Sequence, residues 1–535
     1  MRRPTQRDGS SGRSRRSLFQ VGPALARGGL LAAALVSTAS PLCAQGQAQV
    51  PSAQSAPLPL SGRTASGGTV VATQTPIPGA GGGVETLNPT VLVQGPFAGS
   101  LPSTRRAFTG PLTLRDAIDR ALDYNLGAVS LSNIVRQSRS QRTVARSALL
   151  PNVTADMTGL IQQINLSSFG LRFTSPIPGF NFPTVVGPFN QVDFRGRVSQ
   201  SVFDRTAWQN YRASEETQRA NELSVQDTRD LVVLAVGGSY LQVAATRARL
   251  QSARTQLETA NALYQQNVQR RAVGLVAQVD VDRSQVQALV QQQRLIAQQN
   301  EFAKQKINLA RMVGLPPTDQ YNLADEVPFL PAPMVTLEDA LRRAHEDRAD
   351  LKALEAQVRA AERGLSAAKA ERLPTVGVSA DYGAIGPTPS EARRTFSVAG
   401  TVRVPIWQGG RAEGHIDQAE TVLAQRLAEL EDLTGVVEGD VRKSYLDLQS
   451  AASQVEVAQK NREITAETLD LTRQRFEAGV SDNVEVVQAQ ESVASAELDY
   501  INSVFAHNLA KLSLARSVGQ LADRVADYLK LPATK

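Results

Sequence analysis

Side chains able to do covalent or metal chemistry are few and scattered. His345, His415 and His507 stand far apart, and Cys43 is the single cysteine. No phosphate-cradling glycine loop, nucleophile elbow or His-pair metal spacing occurs. An enzyme is therefore not expected, nor a metal or cofactor, and His507, on a heptad stride, reads as packing. Two acids are more informative. Asp280 lies between Val279 and Val281 shortly after Gly274, and Glu485 between Val484 and Val486 shortly after Gly479. Each opens a segment rich in helix formers, where the positive end of a helix favours a carboxylate. That chemistry is electrostatic: it attracts or repels ions and breaks no bonds.

The elements that position these acids are long and duplicated. Thr113-Leu114 with Asp116-Ala117 returns as Thr336-Leu337 with Asp339-Ala340, and Leu150-Pro151 with Val153 as Leu373-Pro374 with Val376. Ser239-Tyr240-Leu241 returns as Ser444-Tyr445-Leu446 at a spacing 18 residues shorter, so the first copy carries an insertion between Val153 and Ser239. The Gly/Pro/Phe-rich stretch Ser167–Pro188 is its expected place. Proline is absent from Thr206 to Arg271 and from Arg411 to Ala478. Apolar residues there keep the 3.5-residue stride of supercoiled helices, as do the return segments after each glycine. About 66 residues rising 1.5 Å each give a helix of roughly 100 Å. Two long coiled-coil hairpins are predicted.

Before each long helix the period falls to two. Val192, Phe194, Gly196 and Val198 alternate with Asp193, Arg195, Arg197 and Ser199; Phe396, Val398, Gly400 and Val402 alternate with small or polar residues. With Val376–Tyr382 and the less regular Val153–Gly159 these make four strands, and no other segment offers a surface to cover them. Such strands suit a transmembrane barrel. Phe194, Phe203, Trp208, Phe396 and Trp407 are the candidate aromatic belt at the membrane boundary. Four strands cannot close a barrel, whereas three copies would supply twelve.

The charge belongs to the N-terminus. Residues 1–44 hold seven of 57 basic and one of 51 acidic residues, the arginines preceding the apolar run Gly28–Val36, and read as a signal peptide cleaved after Ala44. The remainder is neutral, which removes the main argument for nucleic-acid binding. Leu42 stands where lipidation of Cys43 needs a small residue. No other segment reaches the apolar length of a membrane helix, so the strands are the expected span. Residues 45–110 form a Pro/Gly/Ala-rich leader expected to be disordered. The repeats occupy 111–330 and 331–520, and 521–535 is a tail too short to form a domain.

Arg475–Val480 with Val484–Gln490, and Ala272–Val276 in the first copy, resemble the TolC family of outer-membrane efflux proteins. The resemblance runs from about residue 111 to 520. It implies a mixed α and β membrane protein of two tandem repeats, each a strand pair with a coiled-coil hairpin. The family forms homotrimers, with a 12-stranded β-barrel in the outer membrane and a periplasmic α-helical barrel below. It implies an exit duct of a tripartite efflux or type I secretion system, fed by a periplasmic adaptor and an inner-membrane efflux pump or ABC exporter. By residue match Phe476, Glu485 and Asp280 fall on the pore constriction, whereas Ser481 and Gln488 replace the family's arginine and second aspartate. Val273, Gly274, Leu275, Gly479 and Val480 fall on the adaptor-docking tips. The alternative is a periplasmic coiled-coil adaptor that forms no channel, although it would need one hairpin rather than two.

Overall fold

The structure, a computed structural model, describes residues 70–77, 86–101, 110–170, 183–316, 321–324, 329–331 and 335–529. The expected signal peptide lies outside them, as do parts of the leader and the end of the tail. The duplication is visible element by element. Helices α1 (Leu114–Tyr124) and α2 (Leu126–Ser147) match α5 (Leu337–Asp347) and α6 (Ala349–Ala370) in length. Thr113 caps α1 in a reciprocal box with Asp116, and Thr336 accepts from the Asp339 N–H in the second copy. The long helices α3 (Arg205–Ala272, 68 residues) and α7 (Arg411–Glu477, 67 residues) return through α4 (Gln278–Met312) and α8 (Asn483–Ser517), each of 35 residues. A short helix α9 (Leu521–Leu529) follows.

Strands precede and interrupt this order. β1 (Val70–Ile77) and β2 (Thr86–Val93) form an antiparallel hairpin, and β3 (Pro111–Leu112) pairs in parallel with β6 (Asn322–Leu323). β4 (Asn152–Asn165), β5 (Val185–Phe203), β7 (Thr375–Gly386) and β8 (Arg393–Arg403) form one antiparallel sheet in the order β4-β5-β7-β8. The insertion of the first copy lies between β4 and β5, where the sequence places it.

The main core gathers around the middle of α3, where Leu309, Leu512, Leu521 and Tyr240 are fully buried or nearly so. Two adjacent glycines in α3 serve this packing, although each weakens a helix by about 1 kcal/mol relative to Ala. A Cβ on Gly237 would stand 3.0 Å from the Leu512 side chain, and one on Gly238 would stand 2.7 Å from Val91 of β2. The first contact lets the return helix of one repeat approach the long helix of the other. The second seats the N-terminal hairpin.

Three expectations need correction. The leader is not wholly without structure, because β1 and β2 pair and Phe97 is buried in the core. The tail is not separate, because Leu521, Tyr528 and Leu529 of α9 belong to that core. Finally, α3 does contain a stretch long and apolar enough to cross a membrane, but 67% of it is buried inside the fold, as in a core helix.

A buried ionic seam ties the two repeats together beside the core. Arg516 of α8 pairs with Asp227 of α3. Arg348, between α5 and α6, holds Asp350 through two bonds of 3.0 and 2.6 Å and reaches Asp440 of α7 at 3.5 Å. Gly519, at φ +80, lets the chain turn against the Arg348 backbone, where a Cβ would meet Cα at 2.9 Å. Asp230, 4% exposed, accepts from the Ala522 N–H at 2.7 Å in the first turn of α9. Burial pushes its carboxyl up to about 6, against the hydrogen bond from Ala522 and the nearby Arg516.

Because the folded value lies above the free carboxyl's roughly 3.9, the folded state binds the proton more tightly, and this group's contribution to stability grows as pH falls through 6. Asp230→Asn keeps an acceptor for Ala522 and removes the buried charge. It should raise the unfolding midpoint at pH 7.5 by an amount equivalent to at most about 3 kcal/mol. The advantage should shrink toward pH 5, as thermal melts of parent and variant across that range would record.

Candidate functional site: membrane sheet and hairpin tips

Strand register sorts the four-stranded sheet into two chemically distinct faces. Met157 pairs with Phe194, Phe194 with Ala384, and Tyr382 with Phe396, so these side chains share one face with Val153, Val198, Val398 and Val402. Phe396 on this face is 76% exposed. On the opposite face Arg195 pairs with Asp193 at 3.2 Å and with Asp381, while Ser397 donates to Asp381 and Arg197 stands 3.6 Å from Asp156. A bulge between Ser201 and Phe203 returns Phe203 to the apolar side opposite Val376. Among the described residues β4 and β8 have no partner on their outer edges.

The five expected belt residues fall at two levels. Phe194 and Phe396 lie toward the strand turns, whereas Phe203, Trp208 and Trp407 lie where strands meet helices. Trp407 is 87% exposed, and Ile406 beside it, which sequence reading passes over, is more exposed still. From Phe396 to Val404 eight residues at about 3.3 Å span roughly 26 Å along the strand, close to the apolar height of a membrane barrel.

At the far end of the helices both hairpins turn in the same way. Gly274 (φ +78) and Gly479 (φ +74) end α3 and α7 in the left-handed conformation. Leu275 N–H donates to the Arg270 carbonyl and Val480 N–H to the Arg475 carbonyl, both at 2.9 Å. A Cβ on either glycine would touch nothing, so the backbone angle alone requires glycine. Val273, Leu275 and Val480 project into solvent, each at least 70% exposed.

The two tips are fastened to each other by groups that the motif comparison misses. Asn267 of α3 donates to Asn483 Oδ1 at 3.2 Å, and Asn483 donates onward to the Asp280 carbonyl at 3.1 Å. Both asparagines are buried. Arg270 donates to the Phe476 carbonyl at 3.1 Å, satisfying a carbonyl at the end of α7, while its guanidinium lies 4.4 Å from the Phe476 ring centre. The sequence does carry one signal: buried Ala253 and Ala260 predict a third apolar residue at the next seven-residue step, and Asn267 occupies it. A lone asparagine on a heptad seam is a register-setting device.

The expected constriction residues do not all share one environment. Glu485 is exposed in the first turn of α8, accepts from Ser481 Oγ at 2.5 Å and stands 3.6 Å from Arg475. Asp280 is partly exposed and stands 3.5 Å from Arg283. The asparagine link brings the starts of α4 and α8, and so both acids, to one end of the molecule. Phe476 is 5% exposed and packs with Leu263 and Val486 between the hairpins, so within the protomer it fastens them. Its position on the inner stride of α7 is the physical reason.

His507 is buried against Phe329, with ring centres 4.9 Å apart, and burial together with Lys511 depresses it to about 4. It is neutral at pH 7, in keeping with a packing role.

Comparison with known proteins bears on this arrangement. The family described as "Outer membrane efflux protein" matches residues 129–315 and 340–520, one segment in each repeat. The chain belongs to that family. The outer membrane protein OprJ of Pseudomonas aeruginosa is 26% identical over 439 residues, covering 77% of this chain and 85% of OprJ. The outer membrane protein TolC of Escherichia coli is 23% identical over 348 residues, 61% of this chain and 69% of TolC. The solved structure of VceC from Vibrio cholerae superposes with a TM-score of 0.65 at 18% identity, covering 76% of this chain and 96% of that one. The CmeC channel of Campylobacter jejuni gives 0.67 at 14% identity, covering 86% and 98%. This efflux protein therefore has a TolC-like channel fold. It resides in the outer membrane, with helices extending into the periplasm, and serves as an exit duct of an efflux system. The channel-less adaptor is not favoured, and the family's members are channels.

The clasp between the tips can be weakened without touching their exposed ends. Asn483→Ala leaves Asn267 buried without a partner, at a cost of about 1–3 kcal/mol. Hydrogen exchange should accelerate in the peptides around residues 263–283 and 470–487, with the sheet and the main core unchanged.

Proposed function

We propose that this efflux protein acts as a homotrimer whose three sheets close a 12-stranded barrel. That barrel opens into a periplasmic tunnel of coiled-coil hairpins. The two open edges of the amphipathic sheet carry this reading, because unpaired backbone groups facing lipid cost several kcal/mol each. Joining β8 of one copy to β4 of the next removes every edge. The apolar faces with Phe194 and Phe396 then meet lipid, and the charged faces with Arg195 and Asp381 line the interior.

In the same reading the tips face a periplasmic adaptor, and an inner-membrane efflux pump or ABC exporter delivers substrate through it. Leu275 and Val480 are apolar where a free soluble tip would carry polar groups. Glu485 and Asp280 supply three copies each of a carboxylate at the tunnel's narrow end, where acidic rings favour cations.

The test of the assembly is cross-linking of the detergent-extracted protein, followed by single-channel recording in planar bilayers. Trimers with cation-selective conductance are expected, and Glu485→Gln should lower the selectivity while the trimer persists. Monomers alone, or trimers without conductance, would refute the duct, and unaltered selectivity in the variant would remove Glu485 from the constriction.

Docking has a separate readout. Leu275→Asp or Val480→Asp would place a charge in an apolar contact. Each should weaken co-purification of the cognate adaptor while leaving trimer yield unchanged, and equal recovery by both variants would place the contact elsewhere.

A further inference from the structure

The two repeats meet along a seam inside each copy, and each repeat presents the matching surface again on its outer side. Within the copy, β5 of the first repeat pairs with β7 of the second. Below them α3 lies against α8, where Arg249 donates to Asn502 Oδ1 at 2.7 Å. Among the described residues β8 and β4 carry the corresponding strand edges without a partner. The helices show the same contrast. Leu241, Ile501 and Leu512 are buried in the main core, whereas their repeat equivalents Leu446, Ile296 and Ile307 are between 48% and 63% exposed. An exposed apolar stripe whose equivalent is buried at a repeat–repeat contact fits a second copy of this chain.

Strand equivalence runs residue by residue. Leu150-Pro151 before β4 matches Leu373-Pro374 before β7, so Asp156 and Met157 are the equivalents of Ser379 and Ala380. Asn152 lies opposite Ser199 and Thr375 opposite Arg403, which makes Arg403 the equivalent of Ser199 and Val402 that of Val198. Inside the copy Ser199 lies opposite Ser379, and Val198 opposite Ala380. Transferred to the open edges, this register sets Arg403 against Asp156 and Val402 against Met157.

Resting on the trimeric barrel above, we propose that copies join in this register, with Arg403 of one copy paired to Asp156 of the next on the inner face. Charge supports it independently of the repeat. Asp156 is the only charged residue of β4, and Arg403 the only one in the helix-side half of β8. A slip of two residues would set Arg403 against Thr154 or Thr158. A slip of one would set apolar Val402 against the polar face of β4. Asp156 already stands 3.6 Å from Arg197 of its own copy, so the seam holds one carboxylate between guanidinium groups of two chains. Opposite charges on neighbouring strands stabilise their pairing, and each of the three seams carries the same set. On the helices the equivalence is incomplete. Gly237 returns as Arg442, which keeps α7 farther from α4 of the next copy than α3 stands from α8. The strands therefore set the register, and Leu446, Ile296 and Ile307 are covered less tightly than their buried equivalents.

Cysteine pairs in the full-length protein, in a Cys43→Ser background, test the register. Thr401→Cys with Thr158→Cys places thiols directly opposite each other across the seam. Within one copy β8 and β4 stand three strand spacings apart, about 14 Å, beyond the roughly 7 Å that a disulfide bridges. A bond must therefore join two copies, and oxidation should convert most of the protein to covalent trimers on a denaturing gel. The slipped pairs, Thr401→Cys with Asp156→Cys or with Leu160→Cys, should link poorly. Charge offers a second readout. Arg403→Glu should lower the temperature at which detergent-purified trimers dissociate by several degrees, and adding Asp156→Asn should recover part of that loss. A slipped pair that links better than the opposite one, or a loss unchanged by Asp156→Asn, would overturn the register. Trimers that lack the link between positions 401 and 158 would refute this inference alone, whereas protein recovered only as monomers would refute the trimeric barrel and this inference with it.

Discussion

Four strands whose two outer edges have no partner among the described residues are the constraint from which the remaining architecture follows. In water an exposed edge is a tolerable hazard, but in hydrocarbon no solvent satisfies its N–H and C=O groups. The sheet is built for lipid: Phe194, Tyr382 and Phe396 project together on one side, while Arg195 is held by Asp193 and Asp381 on the other. Such a sheet is acceptable in a membrane only as part of a closed ring. The helices are tied to its strands by short connections, Asp204 before α3 and the turn ending at Gly410 before α7. In the proposed ring the long hairpins therefore stand side by side.

Along those hairpins the means of attachment changes with distance from the membrane. Midway, a large apolar core and the buried seam of Arg348, Asp350, Asp227 and Arg516 hold the repeats together, and Gly237 allows α8 to close on α3. At the tips the buried apolar cluster shrinks to Leu263, Phe476 and Val486, supplemented by the Asn267–Asn483 bond and the Arg270 stack. Little buried area combined with directional polar bonds gives low local stability with defined geometry. Elements that move are drawn from that end of the stability range. The protomer is thus held firmly midway along its hairpins and more lightly at the tips, where Glu485 and Asp280 sit.

The sequence by itself determined the repeat, the order of the elements, the helix ends and the two glycine turns. These depend on local rules: stride, proline exclusion, capping by Thr113 and the left-handed angle at Gly274 and Gly479. It also determined which face of each strand is apolar, since the period of two is intrinsic to the chain. Tertiary structure alone decided the features that depend on contacts between distant segments. The hairpin of β1 and β2 is illegible in a leader of low-complexity composition because its seat, Gly238, lies far along the chain. α9 looked like a tail because Leu521 and Tyr528 gain their burial from α3 and α8. The packing of Phe476 against Leu263, Val486 and the guanidinium of Arg270 likewise joins segments far apart in the chain. Asp230 illustrates the same division, since a carboxyl has an ordinary affinity for protons until folding strips its water away. Periodicity is a property of neighbours in the chain, whereas burial and pairing are properties of neighbours in space.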